Sequence, residues 1–164
     1  MKKITIFLCL LAGYLIPSYG QCTSEDLYPS TPATSDNSGV AQQISDCVYA
    51  GDYSVINGLT VGGDYKFTCT WNDDTSVHRY LTVKDADDNV IAHGISPLTV
   101  NDITASSIRL HYSIDADCGT DTECSTATIL TVLSCPLPLN AQLSAVTTTG
   151  ASFTWTQGGS ETAW

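Results

Sequence analysis

Apolar and polar side chains alternate along much of the chain, and a period of two is typical of strands with one buried face. Tyr65, Phe67 and Cys69, for example, are separated by Lys66 and Thr68. No window of helical length repeats its apolar positions every 3.6 residues. Between turn-forming residues, strands are predicted at 40–47, 52–57, 64–71, 77–84, 89–94, 107–114 and 126–133. Seven short strands at this spacing favour an all-β fold, an antiparallel β-sandwich.

Leu59 and Tyr65 flank a connection that contains Gly62 and Gly63. This arrangement resembles the tyrosine corner of immunoglobulin-like sandwiches, in which a tyrosine hydroxyl bonds back to the preceding backbone. The resemblance implies that Leu59 ends one strand and that Tyr65 opens the next. A plain loop before an amphipathic strand is the alternative. We therefore expect a sandwich of immunoglobulin-like or jelly-roll type.

Residues 1–20 have the parts of a secretory signal peptide. Two lysines precede an apolar run at 4–16, and Ser18 and Gly20 are small residues before the predicted cleavage site. The run is shorter than the roughly 20 residues that span a bilayer. A buried helix or a membrane anchor is the alternative. We expect the signal to be removed and the chain to be secreted, outside the cell or at its surface.

The cysteines agree with export, because an even number remains of the seven once Cys9 leaves with the signal. An even count in an exported chain predicts disulfides. The predicted pairs are Cys118–Cys124, Cys22–Cys47 and Cys69–Cys135. The first pair brackets a turn-like segment, and a buried free thiol is the alternative for Cys69. No close CxxC pair, as structural zinc sites use, is present.

The chain has 17 acidic and 6 basic side chains and a formal charge of −11. A chain this acidic repels phosphate backbones, so we expect no nucleic-acid partner. It also has no basic cluster that would attract anionic lipid, and no membrane insertion is expected.

The composition changes after Cys135, where two prolines predict an extended linker. Phe153 and Trp155 then alternate with threonines, as in a strand with an apolar face. Residues 136–164 resemble the opening strands of a fibronectin type III domain, which needs about 100 residues and seven strands. We therefore expect the chain to be cut within that domain. The alternative is a natural stub that packs against the domain at 21–135.

Several short stretches of the domain at 21–135 occur in a characteristic combination. They are Cys22 with Tyr28-Pro29, Tyr49-Ala50-Gly51-Asp52-Tyr53, Gly62 with Tyr65-Lys66-Phe67, Ile91-Ala92-His93-Gly94, Ser96-Pro97-Leu98-Thr99, and Arg109-Leu110-His111-Tyr112 with Cys118-Gly119. On these residues the domain resembles a module of secreted multidomain proteins of Bacteroidota, found in adhesin-like proteins and exported enzymes beside fibronectin type III repeats. The resemblance implies an adhesive or accessory role and assigns no catalytic residues.

No catalytic motif stands out around His78, His93 and His111. The sequence has no GxSxG, HExxH, phosphate-loop or dinucleotide-binding motif. A hydrolase needs a nucleophile, a histidine and an acid brought together, and the many Ser and Asp residues leave that as a third hypothesis. We predict that the chain is not an enzyme.

Asp85, Asp87 and Asn89 match the opening of an EF-hand loop, so calcium is the one cofactor that the sequence suggests. The match then fails, because Val90 stands at the glycine position and Ser96 at that of the bidentate glutamate. A hairpin turn is the alternative, with the acidic residues serving solubility.

Two functions follow. The first is a secreted, non-catalytic β-sandwich module for adhesion or accessory binding within a larger exported protein. Its partners would be a protein or glycan at the cell surface and the domains downstream. The alternative is a carbohydrate-binding module of a polysaccharide-degrading enzyme whose catalytic domain is absent from this chain. Trp71 and the tyrosines could stack on sugars, although the alternation around Trp71 favours a place in the core.

Overall fold

The computed structural model describes residues 22–133 and 138–156, and in these ranges the only regular elements are strands. The predicted all-β class is therefore confirmed. The strands are β1 (Asp26–Leu27), β2 (Ala33–Thr34), β3 (Gln42–Val48), β4 (Asp52–Asn57), β5 (Asp64–Trp71), β6 (Tyr80–Lys84), β7 (Val90–Ile95), β8 (Leu98–Val100), β9 (Ser107–Ser113), β10 (Ser125–Val132), β11 (Leu139–Val146) and β12 (Ala151–Thr156). Among these residues there is no helix that is long and apolar enough to cross a membrane.

The strands form three sheets. The first has the order β1-β4-β9-β6-β7, with β2 also paired to β4, and the second has the order β3-β10-β5-β8. The third is the hairpin of β11 and β12. β1 and β2 run parallel to β4, and the other pairs are antiparallel. Each of the seven predicted strands coincides with an observed one, while β1, β2 and β8 are too short to show a period.

The first two sheets share one buried apolar cluster, which is the arrangement of a β-sandwich. Alternate residues of β5, β6, β9 and β10 enter it, as the sequence predicted for β5, β6 and β9. The first sheet contributes Ile56, Leu81, Val83, Ile108, Leu110 and Tyr112, and the second contributes Val48, Tyr65, Phe67, Cys69, Ala127 and Ile129. The predicted place of Trp71 in the core is wrong. Trp71 is the last residue of β5, so it lies at the margin of the sheet, where it is half-buried and outside this cluster.

The connection from β4 to β5 has the hydrogen bond that a tyrosine corner requires. Leu59 and Tyr65 are both buried. The Tyr65 hydroxyl accepts a hydrogen bond from the backbone N–H of Thr60 at 2.7 Å and donates to Asn37 Oδ1. A side chain at Gly63 would come within 2.9 Å of the Thr60 carbonyl, so this arch needs glycine there. The hydroxyl thus gives a hydrogen-bond partner to the N–H of Thr60, which belongs to neither strand.

Two disulfides join segments that are distant in sequence, Cys22 with Cys118 and Cys47 with Cys124. The predicted pairs Cys118–Cys124 and Cys22–Cys47 are therefore wrong, although the same four cysteines are involved. β3 pairs with β10, and this places Cys47 beside Cys124, with their Cα atoms 4.4 Å apart. Disulfides are compatible with an extracellular protein.

Cys69 is a buried free thiol. Its predicted partner Cys135 lies outside the described residues. Burial raises the pKa of the Cys69 thiol to about 12, more than the charge of Arg79 lowers it. Because the thiolate is the reactive form, Cys69 is chemically inert in the folded protein.

The strands predicted after residue 138 are β11 and β12, whose residues are all exposed. Leu143 lies opposite Phe153 in the ladder, and Trp155 is two residues further along β12. The hairpin therefore has an apolar face, as the sequence predicted. Residues 134–137 and 157–164 of this segment lie outside the described residues, and the fibronectin type III resemblance stays an expectation.

Candidate functional site

The predicted signal peptide lies outside the described residues, and the chain from Cys22 onward covers the outer face of the first sheet. We call residues 22–25 the N-terminal segment. The backbone N–H of Cys22 donates to Thr82 Oγ1 at 3.2 Å, and that of Ser24 donates to His111 Nδ1 at 3.0 Å. Lys84 Nζ donates to the Thr23 hydroxyl. The N-terminal segment thus covers Thr82, Lys84 and His111, which are buried. The alternation of apolar and polar residues by itself would place these polar side chains in water.

His93 and His111 both lie opposite Thr82, one on each neighbouring strand. His93 hydrogen-bonds the Tyr80 hydroxyl through Nδ1 at 2.7 Å, and His111 accepts from the Ser24 backbone. His78 is exposed in the loop between β5 and β6. In the described ranges, the hydrogen bonds of the histidines form no chain from a nucleophile through a histidine to a carboxylate.

His111 is 2% exposed and stacks on Tyr53, with ring centroids 5.2 Å apart. Because Nδ1 accepts a hydrogen bond, the neutral ring is assigned its proton on Nε2, which is buried without a partner. Burial, with the nearby charge of Lys84, lowers the pKa of His111 to about 4. The ring is therefore neutral at pH 7 and serves as an acceptor that holds the N-terminal segment.

His111 should make stability depend on pH. In the unfolded chain His111 has the ordinary pKa of 6.5 and takes up a proton before the folded protein does. The contribution of the neutral ring to the free energy of unfolding is therefore complete above pH 6.5. This contribution falls by up to about 3 kcal/mol as the pH drops from 6.5 to about 4, and it does not change further below pH 4. Urea unfolding at pH 7.5, 5.5 and 4.5 should show a shallower loss in His111→Gln than in wild type. The exposed His78→Gln is the control, and equal slopes in all three proteins would contradict the assignment.

A cavity in the described part of the chain lies at the end of the sandwich that holds the two disulfides. Its volume is about 370 Å³, and a neighbouring hollow of about 210 Å³ shares three of its lining residues. We call the two together the groove. Its walls are residues 22–28, the turn between β3 and β4, and the loop between β9 and β10. The shared residues are Asp26, Tyr49 and Asp52.

Hydrogen bonds fix the turn between β3 and β4 that forms one wall of the groove. Gly51 has a φ of +120°, which a residue with a side chain rarely adopts, and its N–H donates to the Tyr112 carbonyl at 2.9 Å. The backbone N–H of Tyr49 donates to Asp52 Oδ2 at 2.8 Å. The N–H of Asp121 donates to the Ala50 carbonyl at 3.1 Å and ties the opposite loop to the same turn.

The groove combines aromatic and acidic side chains. Tyr28 and Tyr49 are 46% and 39% exposed. Asp26 lies directly opposite Asp52 in the β1–β4 ladder, and no Lys, Arg or His is among the lining residues. Burial, and to a lesser extent the charge of Asp26, raises the pKa of Asp52, against the lowering effect of its hydrogen bond from Tyr49. A cationic or hydroxyl-rich ligand fits these walls.

Asp121, which also lines the groove, has a different electrostatic environment. Its carboxylate is paired with the guanidinium of Arg79, Nη1 to Oδ2 at 2.6 Å. Arg79 also donates from Nε to the Ser125 hydroxyl at 2.7 Å and from Nη2 to the Glu123 carbonyl at 3.2 Å. This network anchors the loop between β9 and β10 and leaves Asp26 and Asp52 as the carboxylates that face the hollow without a cation.

The structure brings Asp85, Asp87 and Asn89 together, as a hydrogen-bonded turn between β6 and β7. Asp85 Oδ1 accepts from the N–H groups of Asp87 and Asn89, and Oδ2 accepts from the Asn89 amide, all at 2.9 Å. These bonds lower the pKa of Asp85. In the described residues there is no group of three or more His, Cys, Asp or Glu side chains that could hold a metal ion. Calcium here stays a prediction.

No motif in the sequence marks the groove as a site. Tyr49 and Asp52 belong to a stretch that carries the resemblance to the Bacteroidota module, and Asp26 belongs to none of these stretches. No family model, curated protein or solved structure matches this chain.

Proposed function

We propose that this chain is a secreted, non-catalytic β-sandwich module that binds a partner, either in adhesion or as an accessory part of a larger exported protein. The observation that carries the proposal is the groove, where exposed tyrosines and carboxylates outside any ion pair of the described residues lie among segments that two disulfides link. Rigid walls lower the entropy cost of binding. The arch at Leu59 and Tyr65 supports a sandwich of immunoglobulin-like type.

The alternative, a carbohydrate-binding module, is favoured by the exposure of Tyr28 and Tyr49. Aromatic faces beside carboxylates suit a sugar, because the ring stacks on its apolar face and the carboxylates accept from its hydroxyls. Trp71, the other candidate for stacking, does not line the groove.

The test is a binding screen of the chain without residues 1–20. The surfaces carry immobilised extracellular matrix proteins, mucin or polysaccharides. Panels of ester, glycoside and peptide substrates are assayed in parallel. We expect no turnover, and retention on at least one surface that is lost in Tyr49→Ala. Phe153→Ala, an exposed aromatic outside the groove, is the matched control. Retention confined to polysaccharides would favour the carbohydrate-binding alternative.

Turnover of any substrate would overturn the non-catalytic assignment. Retention that Tyr49→Ala leaves unchanged would place binding outside the groove and remove the observation on which the proposal rests.

A further inference from the structure

The smaller hollow of the groove has apolar and aromatic walls, and two like-charged side chains are among its lining residues. It is lined by Asp26, Leu27, Tyr28, Cys47, Tyr49 and Asp52. Its volume of about 210 Å³ is below the roughly 300–1,000 Å³ of pockets that enclose whole small ligands. A single side chain that enters from a partner matches this size better than an oligosaccharide does.

The pair of carboxylates is unfavourable in the free protein. Asp26 and Asp52 are register partners on adjacent strands, and like charges directly opposite each other destabilise a ladder. β1 has only two residues and therefore few other ladder bonds to offset this. Asp52 is moreover half-buried. A cation between the two carboxylates would remove the repulsion.

Charge complementarity therefore defines the occupant. We infer that the hollow binds an arginine side chain presented by a basic segment of a partner polypeptide, with the guanidinium between Asp26 and Asp52 and against Tyr28 and Tyr49. A guanidinium suits the site because its fork of donors serves two carboxylates and its plane stacks on aromatic rings. This inference rests on the proposed binding function and specifies its partner.

The experiment is an NMR titration of the ¹⁵N-labelled chain without residues 1–20. The probe is the peptide Ac-GSRGSRG-NH₂, compared with the same peptide carrying citrulline, which has the shape of arginine without its charge. We expect shift changes concentrated in residues 26–28 and 49–52, weaker binding as salt is added, and no binding of the citrulline peptide.

Variants locate the site. Asp52→Asn keeps an oxygen that can accept from the Tyr49 N–H, and Asp26→Asn changes an exposed side chain, so both should keep the dispersed spectrum of the fold. Each is expected to weaken binding at least about tenfold. Asp73→Asn, an exposed carboxylate in the loop between β5 and β6, is the control and should bind as wild type does.

The inference would be overturned by equal binding of the citrulline peptide, by equal affinity of the Asp52→Asn and Asp73→Asn variants, or by shifts spread over the whole acidic surface. Groove-dependent binding of a neutral polysaccharide, with no response to the arginine peptide, would also overturn it. That last result would leave the proposed binding function intact, whereas catalytic turnover would overturn the function itself.

Discussion

Replacing both cysteines of either disulfide by serine is expected to lower the free energy of unfolding by about 2–5 kcal/mol. The bridged residues are 96 positions apart for Cys22–Cys118 and 77 for Cys47–Cys124. In the chain-entropy model, closing loops of this length restricts the unfolded chain by about 4–5 kcal/mol each. Total stabilities of about 5–15 kcal/mol are typical, so the chain that lacks both disulfides should be largely unfolded.

Urea unfolding of the two double-serine variants, and of wild type with and without excess reductant, measures this effect. Reductant should destabilise wild type by about the sum of the two losses. The two double-serine variants in reductant are the control, because each then also lacks both disulfides and should be as unfolded as reduced wild type. An unfolding midpoint of wild type that does not move in reductant would contradict the two disulfides.

Arg79→Met is expected to lower the free energy of unfolding by about 3–5 kcal/mol. Arg79 is 3% exposed, and its guanidinium donates to Asp121, Ser125 and the Glu123 carbonyl. Removing it leaves the carboxylate of Asp121 without its cation and two acceptors without their donor. Arg79 is buried and Asp121 is partly exposed, and breaking one side of such a pair costs more than the pair itself contributes.

A double-mutant cycle of Arg79→Met, Asp121→Asn and the two together isolates the coupling between these side chains. The double variant should lose much less free energy of unfolding than the sum of the losses of the two single variants. Arg109→Met, which breaks the exposed pair with Asp88, is the control and should cost about 0–1 kcal/mol. Equal losses for Arg79→Met and Arg109→Met would contradict the buried network.

The longer strands could be predicted because apolar and polar residues alternate within each of them, and this pattern is visible in the local sequence. β5 is the clearest case, since Tyr65, Phe67 and Cys69 are fully buried and Lys66 and Thr68 are not. β1 and β2 have two residues each and no alternation. They pair with β4 only because the folded chain brings them there, and a local pattern contains no such information.

The disulfide pairs could not be derived from spacing, because nearness in sequence does not imply nearness in a β-sandwich. Cys118 and Cys124 lie in one loop, yet each faces a different neighbour. Cys124 precedes β10 and meets Cys47 through the β3–β10 pairing, and Cys118 meets Cys22 at the start of the N-terminal segment. Topology decides the partners.

The groove was missed for the same reason. Asp26, Tyr49 and Asp121 belong to three segments, and none of them has a motif that marks it in the sequence. The like-charged pair of Asp26 and Asp52 exists only through the register of β1 on β4. Asp85, Asp87 and Asn89, in contrast, were predicted to lie together because they are neighbours in one turn.

Two long-range disulfides build one end of the sandwich and, with it, the groove. Non-reducing digestion of the oxidised chain without residues 1–20, followed by mass spectrometry, is the decisive measurement of this architecture. Linked peptides that join Cys22 to Cys118 and Cys47 to Cys124 are the expected result. Peptides that join Cys118 to Cys124, or Cys22 to Cys47, would contradict it, because the loop between β9 and β10 would then have no covalent link to the other walls of the groove.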